Sequence, residues 1–322
     1  MRDDGGIRLI CGATGFIGGR LARELGRQGA ACAALGRRAA PEMASRVAAL
    51  DDRAALYAAC QGAHTVFHCA GHAHAFAALS QRDAELHWRV NCEGARNLAE
   101  AAGQAGVRRF VFLSSVKAMA EPGDVCADED FPGEPNTAYG QAKRAAEAAV
   151  LAAGQRYGMH VVNLRLAMVY GSGGRGNLER MARLVRRGWF PPLPETGNRR
   201  SLTHVDDVVA AMLRVAEDDR ANGKTYIVAG PEAPSGRQLY DALRGALGLP
   251  PCRWSVPEAM LRGAARCGDG LAILCKRRMP LDSEAVDRLL GSAWYSPARI
   301  ARELGWQAQI PLHEGLLEMF SC

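Results

Sequence analysis

Tyr139 and Lys143 are separated by three residues in the run Tyr139-Gly140-Gln141-Ala142-Lys143. On a helix that spacing places phenol and ammonium one turn apart on the same face. A free tyrosine, with a pKa of about 10, is a poor acid–base catalyst near neutral pH. A neighbouring ammonium favours the phenolate and brings the group toward the working range. Ser115 closes the run RFVFLSS (109–115), the clearest strand in the chain. Ligands in open α/β sheets bind at such strand ends, and the Ser115 hydroxyl can hydrogen-bond a substrate oxygen beside the tyrosine. Ser115, Tyr139 and Lys143 are therefore candidates for moving a proton on or off an alcohol or carbonyl oxygen. Taken alone, a Tyr and Lys at this spacing are commonplace on helix surfaces.

A second constellation lies upstream. Gly12-Ala13-Thr14-Gly15-Phe16-Ile17-Gly18 follows the apolar run Ile7–Cys11 and opens a helical pattern with Ile17, Leu21 and Leu25 on one face. Glycines at 12, 15 and 18 allow a tight turn and a close approach of backbone N–H groups to a pyrophosphate, which the helix N-terminus also favours. The segment, with Thr14, Phe16 and Ile17 between its glycines, reads as a dinucleotide-binding turn because it stands between a strand and a helix. The next strand end discloses which dinucleotide is bound, since an acid there takes the ribose hydroxyls of NAD. No Asp or Glu occurs between Glu24 and Glu42; Gly36-Arg37-Arg38 stands there instead. Two guanidinium groups at that place suit a 2′-phosphate, which favours NADP over NAD. The bland alternative is a pair of solvated surface arginines.

The elements that must position these groups follow a strand–helix rhythm. Strands are expected at 7–11, 30–35, 65–69, 109–115 and 160–166, and helices at 16–28, 52–60, 83–105 and 136–157. Short turns between them imply βαβ units and a parallel, doubly wound α/β sheet. After about residue 170 glycines and prolines cluster, and only 225–229 reads as a good strand, while 203–217 looks like another core helix. The division expected is a Rossmann-type domain over 1–170, with 198–230 returning to it, and a substrate-binding cap made mainly from 171–322. The chain of 322 residues, 48% hydrophobic and 23% charged, is long enough for a large core and excludes a disordered or collagen-like protein. Aromatics are only 6% and glycines number 36, which suits close helix–sheet packing better than a β-sandwich.

In their order along the chain, GATGFIG (12–18), HCAG (68–71), Asn91-Cys92-Glu93-Gly94 with Asn97-Leu98, FLSS (112–115), YGQAK (139–143) and LRLAMVYG (164–171) make the sequence resemble the extended short-chain dehydrogenase/reductases, in the NAD-dependent epimerase/dehydratase family. The likeness spans roughly residues 7–247. It implies Ser115, Tyr139 and Lys143 as the catalytic set, and adds Leu50 and Ala70 to the cofactor contacts. It also implies Arg200 as a diphosphate-binding arginine and Asn177 as part of a nucleotide-sugar loop. SSVK (114–117) and NRRSLTHVDDV (198–208) look most like bacterial UDP-sugar 4-epimerases and 4-keto-sugar reductases of surface polysaccharide synthesis. Two positions depart from the family pattern: Ala49 stands where an aspartate reads adenine, and Met168 where epimerases often carry asparagine. The implied function is hydride transfer at C4 of a nucleotide sugar, by a reductase consuming NADPH or by an epimerase retaining NAD. The likeness extends to dihydroflavonol 4-reductase and 3β-hydroxysteroid enzymes, but an apolar substrate has no use for Arg200. A non-catalytic dinucleotide sensor is the contrasting class, and an intact triad argues against it. Two helices in this family often form a dimer interface, which leaves a homodimer open.

The remaining signals are weaker. The formal charge of +6 is compatible with anionic ligands, but the basic residues lack interleaved aromatics, so nucleic acid is not an expected partner. Ten scattered cysteines without a CxxC pair read as reduced, mostly buried thiols of a cytoplasmic protein. Ile7–Cys11 is too short for a signal-peptide core, and no apolar run approaches the ~20 residues of a membrane span. His68, His72 and His74 cluster, yet lack further ligands at metal-binding spacing; no metal is expected, and the segment reads as the loop beside the nicotinamide. Cys275-Lys276-Arg277-Arg278 reads as a solvated basic face.

Overall fold

A computed structural model describes residues 6–72, 81–174, 176–275 and 282–320. Seven strands form one parallel sheet: β1 (Ile7–Cys11), β2 (Cys32–Gly36), β3 (Ser45–Val47), β4 (Ala63–His68), β5 (Arg109–Ser115), β6 (His160–Leu166) and, last in the sheet, Lys224–Val228. Between the last two in chain order come β7 (Met168–Tyr170) and β8 (Leu202–His204), a separate parallel pair; Lys224–Val228 is therefore β9. The sheet order is β3-β2-β1-β4-β5-β6-β9, and the chain reverses direction across it between β1 and β4. In open α/β sheets that reversal opens the crevice where a ligand binds, at the carboxyl ends of the strands. All seven residues of β6 are buried, as expected of a strand with parallel neighbours and helices over both faces.

The helices are α1 (Phe16–Arg27), α2 (Arg53–Cys60), α3 (Gln81–His87), α4 (Gly94–Gln104), α5 (Ala138–Tyr157), α6 (Asn177–Arg186), α7 (Val205–Glu217), α8 (Gly236–Ala246), α9 (Glu258–Cys275), α10 (Ser283–Leu290), α11 (Ala298–Leu304) and α12 (Leu312–Phe320). One face of the sheet packs Leu9, Val66, Phe110 and Phe112 against Leu56, Leu98 and Val150 of α2, α4 and α5. The other packs Ile10, Phe67, Val111 and Leu164 against Leu21, Val208, Met212 and Ile300 of α1, α7 and α11. A further apolar cluster, including Tyr170, Leu178, Leu239, Leu261, Val286 and Leu316, draws only on residues from the chain beyond β6.

Most of the expected elements stand within a residue or two of their places, and the exceptions have physical causes. The helix expected over 83–105 is three pieces: α3, a π-helical turn at Trp88–Glu93, and α4. Periodicity alone did not mark the break, because one widened turn leaves apolar residues on both sides of it. β3 escaped notice because three residues, Ser-Arg-Val, carry no pattern. β7 and β8 are equally short, and the helix expected from 203 begins at Val205 because Leu202–His204 is strand. Arg2 to Gly5, His74 and the basic run 276–278 lie outside the described residues. Among those described, no helix is long and apolar enough to cross a membrane.

Candidate active site

The glycine turn has the backbone crowding and free helix N-terminus that a phosphate group would fit. Gly12 has φ 89°, in the left-handed region, and a Cβ there would lie 2.8 Å from the Ala70 backbone nitrogen. A Cβ on Gly18 would run into the Gly12 carbonyl oxygen, so this glycine lets α1 sit against the end of β1. Gly15 is the N-cap of α1 and offers no side-chain acceptor to the first-turn N–H groups. Those donors face the turn formed by Gly12 to Phe16, which fits a pyrophosphate. Thr14 is exposed and Ile17 partly so at the same edge, and Ala70 closes the far side from the loop after β4.

Arg37 and Arg38 follow β2 directly, and both are exposed. Leu50 packs against Gly94, where a Cβ would lie 3.0 Å from Leu50 Cδ1. Its carbonyl oxygen accepts from Asn97 Nδ2 at 3.0 Å, and Arg53 Nε donates to Asn97 Oδ1 at 3.1 Å. Leu50 is thus tied to the family's Asn97-Leu98 segment, and Asp52, two residues on, caps α2 by accepting from Ala55 N at 2.9 Å.

Ser115, Tyr139 and Lys143 converge between β5 and α5. Thr137 caps α5, accepting from Gly140 N at 3.1 Å, and Gly158 ends it with a left-handed φ of 61°. Gly140 is required by crowding: a Cβ there would run into the Lys117 carbonyl oxygen. Ser115 Oγ accepts from Lys117 N at 3.2 Å and also hydrogen-bonds the Tyr139 phenol. Lys143 is buried; its Nζ donates to the Leu113 carbonyl oxygen at 2.8 Å and lies 4.7 Å from the Phe112 ring centroid. Under it runs a buried polar girder. Glu147 accepts from Ser114 Oγ at 2.6 Å and from Arg165 Nη2 at 2.7 Å, and Arg165 Nη1 reaches the Glu129 carbonyl oxygen at 3.1 Å.

The electrostatics correct one expectation. Burial pushes the Tyr139 phenol above its usual range, with the Ser115 hydrogen bond pulling the other way. Burial lowers Lys143 to about 8, opposed by the Glu147 carboxylate. In the protein by itself, then, the ammonium is spent on a backbone carbonyl, and its effect is not what governs the phenol.

The histidines are placed differently from the loop expected of them. His68 is the last residue of β4, buried, stacked on Phe112 at 5.5 Å, and lowered to about 3 by burial and Lys143. His72 is half-buried at the mouth of the site. Asn91 clasps its backbone, accepting from His72 N at 2.8 Å and donating to His72 O at 2.9 Å. His87, which sequence reasoning missed, sits edge-on to Tyr139 with ring centroids 5.6 Å apart. No motif marks it; only the π-helical turn that begins at the next residue hints at a functional site.

The two substrate candidates lie on the chain beyond β6. Asn177 begins α6 and is exposed. Arg200 is half-buried and donates to the carbonyl oxygens of Arg288 and, at 3.2 Å, Gly291, both at the end of α10. Desolvation lowers its affinity for a proton, which a bound anion would restore. Among the described residues the one group arranged as metal ligands is His204, Asp206 and Glu318. There Arg20 Nη2 already donates to Asp206 Oδ2 at 2.7 Å and also to Glu318, so a cation occupies the carboxylates. The eight described cysteines are free thiols; Cys126 and Cys267 are exposed and the rest wholly or partly buried.

A parallel sheet in this order, a glycine turn after β1, and a Ser-Tyr-Lys set at the end of β5 define a dinucleotide-dependent enzyme of the Rossmann type. Residues 8–229 match the NAD dependent epimerase/dehydratase family, and the chain belongs to it. The UDP-glucose 4-epimerase of Vibrio cholerae is 30% identical over 260 residues, which is 78% of this chain and 74% of that protein. Sterol demethylase protein B of Methylococcus capsulatus is 31% identical, with 92% of each chain covered. Among solved structures, MoeE5 in complex with UDP-glucose and NAD superimposes with a TM-score of 0.78 at 27% identity, over 98% of both chains.

Proposed function

We propose that the protein is an NAD(P)-dependent oxidoreductase acting at C4 of a nucleotide sugar. Its net reaction is reduction of a UDP-4-keto-hexose, of the 4-keto-6-deoxy or N-acetyl kind, for polysaccharide synthesis. The observation that carries reduction is the end of β2, where Arg37 and Arg38 stand exposed and no acid is present to take the ribose hydroxyls of NAD. Two guanidinium groups there favour the 2′-phosphate of NADPH, a cofactor consumed once per turnover.

When bound, the nicotinamide supplies the hydride. The residues of this chain do the rest. The Gly12–Gly18 turn binds the pyrophosphate through its N–H groups. Ser115 Oγ holds the sugar O4 by a hydrogen bond. Tyr139 Oη donates its proton to O4 as the carbonyl becomes an alcohol. Lys143 would hold the nicotinamide ribose and lend its charge to the phenol. Arg200 and Asn177 hold the nucleotide diphosphate from the chain beyond β6.

UDP-hexose 4-epimerisation is the second reading, favoured by the name of the Vibrio cholerae relative and by the UDP-glucose and NAD bound in MoeE5. One experiment separates the readings. Purified protein is given a UDP-4-keto-hexose with NADPH or NADH, and separately UDP-glucose with NAD. Stoichiometric loss of nicotinamide absorbance with the keto sugar supports the reductase. Conversion of UDP-glucose to UDP-galactose at constant absorbance replaces it with the epimerase. Cofactor binding with neither turnover points to a sensor.

A further inference from the structure

Three buried or half-buried groups beside Tyr139 have no part in the chemistry above. His87 is wholly buried at the end of α3. Its ring lies edge-on to the phenol at 5.6 Å with an interplanar angle of 70°, and the half-buried His72 ring lies 4.9 Å from it on another side. Asn91 Nδ2 is 3.3 Å from His87 Nδ1. The two backbone bonds to His72 orient the Asn91 amide, with Oδ1 on the N–H and Nδ2 on the carbonyl. Nδ2 therefore faces His87 as a donor, so Nδ1 is the acceptor and the imidazole carries its proton on Nε2. A π-helical turn over Trp88–Glu93 brings Asn91 to this place, and such turns recur at functional sites.

We propose that His87 is a positioning residue for Tyr139: its imidazole, locked by Asn91, braces the phenol ring so that Oη stays at the Ser115 hydroxyl. Because Asn91 also holds the backbone of His72, just past Ala70, the brace links the loop that closes the glycine turn to the acid that completes the reaction. His87 acts in this proposal only through Tyr139, against whose ring it packs. The inference rests on the reading of Tyr139 as the proton donor. A ring displaced by even a fraction of an ångström loses alignment with O4, and misplacement on the ångström scale costs about 10²-fold.

The test is a double-mutant cycle with His87→Ala and Tyr139→Phe, assayed on a UDP-4-keto-hexose with NADPH or on UDP-glucose with NAD, whichever the protein turns over. His87→Ala is expected to lower kcat about tenfold or more, with KM and cofactor Kd within about twofold. His87→Phe, which restores a ring, recovers most of the loss. In the Tyr139→Phe background, where no proton remains to be aimed, His87→Ala has no further effect. A second readout needs no turnover. The ultraviolet phenolate band of Tyr139, isolated by subtracting the Tyr139→Phe spectrum, titrates at lower pH in His87→Ala, because removing the imidazole admits water to a phenol that burial now holds high. Equal losses from His87→Ala in both backgrounds, or an unchanged kcat with an unmoved phenolate titration, overturn the brace. Full turnover by Tyr139→Phe alone overturns instead the reading of Tyr139 as the donor.

Discussion

The region of the glycine turn and α5 and the region around Arg200 are held together in opposite ways. Around the cofactor, each functional residue belongs to a neighbouring strand–turn–helix unit: Gly12 to Gly18 join β1 to α1, Arg37 and Arg38 follow β2, and Tyr139 and Lys143 share one turn of α5. The segment 198–201 is stitched to chain some ninety residues further on. Asn198 Nδ2 donates to the carbonyl oxygens of Leu289 at 3.3 Å and Gly291 at 3.0 Å, and its Oδ1 accepts from Gly236 N at 2.9 Å. Ser201 Oγ donates to Tyr295 O and accepts from Tyr295 N. Arg200 hangs on the same seam. A local unit fixes its residues by the geometry of one turn, whereas the seam fixes them only if the distant segments pack together. Tyr139 and Lys143 are thus set by one helical turn, and Arg200 by contacts between segments distant in the chain.

The largest break in the comparison should come from Tyr139→Phe. Loss of general acid help lowers kcat by about 10²–10⁴-fold, while cofactor affinity, measured by fluorescence titration, stays nearly constant because the ring still packs. Steady-state rates over substrate concentration check this.

Replacing both Arg37 and Arg38 by Ala should cost at least about tenfold in preference for NADP, since a charge-assisted contact is worth ~1.5–3 kcal/mol. Competition between the two dinucleotides in a binding assay measures it. Equal affinity of the unchanged protein for NAD and NADP removes the basis for choosing the reductase.

Lys143 sharpens the contrast through stability. Its folded pKa of about 8 lies below the ordinary 10.5, so between those values the unfolded chain holds a proton that the folded chain has lost. Stability without cofactor therefore rises with pH across that window, and the full penalty of the buried ammonium is present below it. Lys143→Met should raise the stability of the free protein at pH 7 by about 1–2 kcal/mol, after allowing for the lost bond to Leu113. It should at the same time weaken cofactor binding. Thermal melts at pH 7 and above pH 10.5 test the sign: the gain must shrink at the higher pH.

The smallest effect belongs to the seam. Asn198→Ala removes three hydrogen bonds to backbone groups and should cost ~1–3 kcal/mol of stability. It should raise KM for the nucleotide sugar severalfold while kcat changes little. Calorimetry paired with kinetics reads both. A loss confined to kcat would mean that the seam and the catalytic face are not separable in the way their construction indicates.

Much of the catalytic half was legible beforehand because its signals are local. A helix forces residues i and i+4 onto one face, so Tyr139 and Lys143 needed no fold to be paired. A strand followed by Gly-x-x-Gly-x-x-Gly has few uses other than a phosphate turn. Leu9 and Ile10 pointing to opposite faces of β1 follow from the two-residue period of a strand. His87 and the α10 carbonyls under Arg200 carried no comparable signal. His87 meets Tyr139 across 52 residues of chain, and Arg200 finds Gly291 across a gap of 91 residues. The sign of the electrostatics was also a tertiary matter. Spacing put an ammonium beside a phenol, but the depth of the crevice made burial the larger influence on both. By itself the sequence determined the glycine turn between β1 and α1, the pairing of Tyr139 with Lys143 on one helix face and the doubly wound sheet, since each rests on periodicity or backbone sterics within a short span. Only the tertiary structure decided what packs on the phenol, what neutralises Glu147 and what holds Arg200, because desolvation and hydrogen bonding depend on which distant segments come to share one interior.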